Sequence, residues 1–129
     1  MSKSLTILAL VLGAAGCRDA YQIAIDEQVA NYAEIASVLR AVNDPASMDV
    51  AERKIAARAA HFREASRRAQ ALPMPDDEGT VARIREQAAK MQAAVREVAK
   101  EFERIRGLPG GPEFIERIGE LSDPRGPKR

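Results

Sequence analysis

Few side chains in this sequence are suited to chemistry, and one of them stands apart. Cys17 is the only cysteine among 129 residues. A thiol can be acylated, oxidised or bound to a metal, and its surroundings decide which. Lys3 supplies the single positive charge ahead of it. Residues 5–12 form a short apolar run, and Gly13, Ala14, Ala15 and Gly16 are all small. A charge, an apolar run and small residues, in that order, make the layout of a secretory signal peptide. The run is shorter than the roughly 20 apolar residues that a membrane-spanning helix needs.

The other reactive groups lack companions. His61 is the only histidine. Without a second histidine or a further cysteine it cannot complete a typical zinc site. Without Cys-x-x-Cys-His there is no covalent c-type haem. One methionine and one histidine can serve as axial ligands of a haem, and Met48, Met74 and Met91 are available to His61 in a helical bundle. Methionine at a core position more commonly fills space. No serine sits in a Gly-x-Ser-x-Gly turn. The carboxylates fall mainly on helix surfaces, where little would raise their pKa values. Residues 107–111 are broken by Pro109 and lack Lys-Ser or Lys-Thr, so they make no phosphate loop. Arg63, Arg67 and Arg68 form a basic cluster that could meet anionic headgroups, although a solvated helix face gives the same pattern. No catalytic residue, metal ligand or cofactor is assigned, and the chain is expected not to be an enzyme.

The placement of Cys17 directly after Gly13-Ala14-Ala15-Gly16 resembles the lipobox of bacterial lipoproteins. That resemblance covers residues 1–17. It implies cleavage before Cys17, acyl chains attached to Cys17, and residence in the cell envelope. Ala14 stands where the family prefers leucine. An aspartate directly after the cysteine marks inner-membrane retention in such proteins. Here Arg18 holds that place and Asp19 follows, so the resemblance implies the outer membrane, facing the periplasm.

The elements that must carry these residues are helical. Removing residues 1–16 leaves 113, a single-domain length. The 19 remaining basic residues balance 19 acidic ones, which argues against a nucleic-acid binder. Aromatic residues are few and tryptophan is absent. Helices are expected over residues 19–42, 45–72, 77–106 and 112–121. In the first, Ile25, Val29, Tyr32, Ile35, Ala36, Leu39 and Val42 recur at helical spacing. Asp44-Pro45 ends it and caps the second. The second carries Met48, Ala51, Ile55, Ala59, Phe62, Ala69 and Leu72 as its stripe. Pro73 and Pro75 stop it. In the third, Val81, Ile84, Ala88, Met91, Val95, Val98, Phe102 and Ile105 alternate in steps of three and four, a heptad seam. Gly107 is expected to end it in a left-handed conformation. The first helix is mainly acidic and the second mainly basic, which favours their pairing.

The expected fold class is all-α: an antiparallel three-helix bundle with a short fourth C-terminal helix closing one end. The expected domains are a signal peptide (1–16), a helical bundle (17–121) and a flexible tail (122–129). Asn43-Asp44-Pro45-Ala46-Ser47, the Leu72-Pro73-Met74-Pro75 stop and the acidic start of the third helix resemble small helical lipoproteins of the bacterial envelope. The Leu-Thr-x-x-Gln signature of the Spy-type chaperones is missing. The chain ends Pro127-Lys128-Arg129, without the final lysine of murein-type lipoproteins. The expected function is that of a lipid-anchored, non-enzymatic structural or partner-binding module. A small ligand-binding bundle, b-type haem-like, or a chaperone-like bundle is the alternative. The expected partners are the membrane, through the anchor, and an envelope protein, with no nucleic acid.

Overall fold

A computed structural model describes residues 20–73 and 76–123. The signal segment, Cys17, Met74 and residues 124–129 of the tail lie outside the described residues. Within them the chain is all-α: α1 (Ala20–Arg40), α2 (Pro45–Ala71), α3 (Glu78–Arg106) and α4 (Gly111–Ser122), with no strand. These bounds fall within two residues of the expected ones.

The helix starts follow from local hydrogen-bond chemistry. The Ser47 amide donates to Asp44 Oδ1 at 2.8 Å, and the Asp44 amide donates back to Ser47 Oγ at 3.0 Å. This reciprocal box satisfies two donors that a helix start leaves without partners. Pro45 adds a φ already suited to the first turn. At α3 the Thr80 amide donates to Asp77 Oδ2 at 2.8 Å. Both carboxyls are held below the ordinary aspartate range. The Ser47 amide and then its hydroxyl do this for Asp44, and Thr80 does it for Asp77. Gly107 departs from expectation. It keeps right-handed geometry at φ −79°, and the left-handed residue is Gly110, at φ 77°. The chain therefore turns three residues later. Gly111 follows, buried so closely against α3 that a β-carbon there would overlap the Ile105 carbonyl oxygen.

The helices meet in a defined order. α1 packs on both α2 and α3, α4 packs on both α2 and α3, and α2 and α3 do not pack directly on each other. α1 and α2 run in opposite directions. Glu34 pairs with Arg58 at 3.2 Å and Glu27 with Arg68 at 2.9 Å, as their complementary charge suggests. α1 and α3 run side by side in the same sense. Arg40 meets Glu97 at 3.5 Å. Arg104 reaches across to the last turn of α1 and donates to Leu39 O at 2.9 Å and Val42 O at 2.7 Å. Glu101 steadies that guanidinium at 2.8 Å. A cation and two donors thus cover carbonyls that the helix end leaves exposed.

α4 was expected as a lid. It lies between α2 and α3 instead, running along α2. Arg117 pairs with Glu52 at 3.1 Å, and Arg63 donates to Leu121 O at 3.4 Å. At 12 residues it is less than half the length of α3. The gap is filled only where α4 reaches. The core is concentrated there: Leu39, Val42, Ile55, Ile105, Phe114 and Ile118 are all essentially inaccessible. The α3 seam changes character along its length. Val98 and Ile105 are buried, whereas Val95 is 41% exposed and Ala88 is exposed as well. A seam needs a partner on each flank, and the first half of α3 has only α1.

Candidate functional site

The short α4 leaves a groove between α2 and α3, floored by the first half of α1. Ile25 comes from the floor, Ala69 and Leu72 from α2, and Ile84, Ala88 and Met91 from α3. The cavity measures about 450 Å³, within the range of roughly 300–1,000 Å³ typical of small-molecule sites. Tyr21, Gln28, Ser66 and Gln70 complete the lining, which carries no carboxylate, histidine, lysine or arginine. Sequence supplies the reason. Ser66 and Ala69 on the α2 wall are small, leaving room between the helices.

A smaller chamber of about 60 Å³ adjoins the groove, sharing Gln28 and Ser66 with it. Asn31, Phe62 and Ser122 are among its walls, so it sits where α4 stops. Asn31 is only 6% exposed, and its side-chain Nδ2 donates to no group among the described residues. A buried amide donor without a partner costs about 1–3 kcal/mol, and native proteins carry few of them. Asn31 was missed in the sequence because it is polar. The signal was present: it lies seven residues after Ala24 and four before Ile35, both buried on the same helix face.

The residues singled out in the sequence are dispersed. Cys17 lies outside the described residues. His61 is exposed, with Nε2 3.7 Å from Glu27 Oε1 and its ring edge-on to Phe62 at 6.2 Å. Met48 is buried at the other end of the molecule, beside Gly110. Thirteen residues of α2 separate it from His61, roughly 20 Å at 1.5 Å per residue, too far for one haem iron. Met91 lines the groove. Arg63, Arg67 and Arg68 are engaged within the molecule, with Leu121 O, Glu64 and Glu27 respectively.

Compared with protein-family models, curated proteins and solved structures, the chain matches none. Its function must be argued from its own residues. Among the described residues no helix is long and apolar enough to cross a membrane, and no three His, Cys, Asp or Glu side chains are grouped to hold a metal ion.

Proposed function

We propose that this chain is a lipid-anchored, non-enzymatic module of the bacterial envelope, held in the outer membrane facing the periplasm and binding a protein partner there. The observation that carries this reading is the order of Lys3, the apolar residues 5–12, the small residues 13–16 and Cys17. The acylated cysteine would stand three residues ahead of α1, so the bundle would sit close to the bilayer surface. More than one acyl chain would hold it stably, because a single chain binds only marginally. An up-down-up three-helix bundle with α4 inserted beside α2 is the scaffold in this reading. The non-enzymatic part is supported by the dispersal of reactive groups. His61 is engaged with Glu27, and the Ser47 hydroxyl is committed to the α2 cap.

Growth with labelled palmitate tests the anchor. The wild-type chain should incorporate label, and Cys17→Ser should not. Equal labelling of the two would sink the proposal. Fractionation tests the location: recovery with the inner membrane would overturn the outer-membrane assignment. Crosslinking in intact cells, followed by identification of what is captured, tests the partner.

A further inference from the structure

We infer that the groove between α2 and α3 receives an amphipathic helix of a partner protein, with its apolar face inward and acidic flanks. This deepens, and rests on, the partner-binding part of the proposed function. It does not depend on the anchor at Cys17.

Three observations carry it. The first is that the gap is already built for a helix. α2 and α3 do not pack on each other, and α4 fills the space between them as far as it reaches. It stops level with Arg63, and α2 runs on for nine more residues to Leu72. That is roughly 14 Å, or about two and a half helical turns. Ile84, Ala88 and Met91 meet the gap at steps of four and three, the register that an inserted apolar helix face matches. The second is backbone chemistry. The polar groups of the lining are the side chains of Tyr21, Gln28, Ser66 and Gln70. An extended segment would bury its own N–H and C=O groups with no ladder to meet them, whereas a helix satisfies them internally. The third is charge. Residues 63–72 of α2 hold three arginines and one glutamate, and residues 81–96 of α3 hold three arginines, one lysine and one glutamate. Arg85 and Arg96 are exposed, each one residue on from Ile84 and Val95. Neither pairs with a carboxylate among the described residues. Glutamates on the flanks of an inserted helix would meet them. Other occupants fit less well. Residues 124–129 are basic and carry Pro124, Gly126 and Pro127, so they offer neither a helical apolar face nor the required sign. In a second copy the large exposed apolar residues, Ile23, Val50 and Val95, stand on three different helices. A membrane surface is flat and would not reach Ile25 on the groove floor.

Isothermal titration calorimetry on the full chain carrying Cys17→Ser tests this with two synthetic peptides of about four helical turns. Both repeat leucine at steps of three and four. One carries glutamate on its flanks and its twin carries lysine. The glutamate peptide should bind at one per chain, at least about tenfold more tightly than its twin, and more weakly as salt is raised. The double variant Arg85→Glu, Arg96→Glu should reverse that preference with the fold untouched, since both side chains are exposed. Ala88→Phe fills the groove from an exposed position and should abolish binding of both peptides, with an unchanged circular dichroism spectrum. Absence of saturable binding of the glutamate peptide would overturn the inference. So would equal binding of the twins, or binding that Ala88→Phe leaves intact. Two further results would overturn it and reassign the groove. Self-association lost in Ala88→Phe, without peptide binding, points to a second copy. Uptake onto phosphatidylglycerol vesicles lost in the double charge variant, without peptide binding, points to a lipid surface. Cys17→Ser removes the anchor throughout, so failure here leaves the palmitate result, and the anchored reading, standing.

Discussion

The two ends of the molecule are built from the same kinds of residue and end up in different physical states. At one end the last turns of α1 and α3, the first turns of α2, and α4 all converge. Leu39, Val42, Ile105, Phe114 and Ile118 are sealed there, and Arg104 clamps the end of α1. At the other end the same three long helices continue without α4, and Ile84, Met91 and Leu72 line a groove. Apolar spacing alone does not make a core. α3 carries its heptad pattern through both ends, and only the end supplied with a fourth helix buries it. The difference comes from the shortness of α4, not from the sequence of α3.

The largest effect should come from cutting the sealed end. Phe114→Ala removes a fully buried ring and should cost about 3–5 kcal/mol in urea unfolding. Ile84→Ala, at the grooved end, should cost less, about 1–2 kcal/mol, since its side chain is only partly buried. Comparable losses for the two would erase the distinction between the ends.

A sharper comparison lies within α3 itself. Val98 is 8% exposed and Val95 is 41% exposed, three residues apart on the same helix. Val98→Asp buries a carboxylate without a partner and should cost about 3 kcal/mol or more. Val95→Asp should stay within about 0.5 kcal/mol of wild type, as exposed substitutions do. Circular dichroism melts of both variants decide it. If Val95→Asp proves as damaging as Val98→Asp, the seam is covered along its whole length.

The smallest effect concerns acid. Asp44 starts α2 at the sealed end and Asp77 starts α3 at the grooved end, both with lowered pKa values. A carboxyl whose pKa is lower folded than unfolded contributes stability above its unfolded value, about 3.9. That contribution disappears as pH falls through the folded value. Asparagine can still cap a helix but does not titrate. The double variant Asp44→Asn, Asp77→Asn should therefore lose less stability than wild type between pH 6 and pH 3, read from urea midpoints. Identical losses would mean that the two caps contribute nothing to the acid response.

Much of this arrangement was legible in the sequence. Asn43-Asp44-Pro45 marked one boundary and Pro73 another, because caps and prolines act on the residues beside them. The acidic and basic faces of α1 and α2 foretold their pairing, since Glu27, Glu34, Arg58 and Arg68 needed only to be counted. Other features depend on residues far apart in the chain. Nothing near Val95 says that α4 stops at Ser122. Nothing near Gly111 says that the Ile105 carbonyl will occupy the space of its β-carbon. Asn31 reads as a polar interruption until Ala24 and Ile35 are known to be buried beside it. Arg104 reads as a surface cation until the end of α1 is seen beneath it.

That last contact bears on how the chain folds. The α1–α2 hairpin is a local pairing and can form early, since short loops close at little entropic cost. Yet the carbonyls of Leu39 and Val42 at the end of α1 also take donors from a guanidinium that lies 62 to 65 positions later in the chain. The hairpin alone is therefore an unfinished piece. It becomes stable only when the second half of the chain arrives, so the four helices should fold and unfold as one cooperative unit. A ribosome must have released residue 104, and with it most of the protein, before the end of the first helix can be clamped by Arg104.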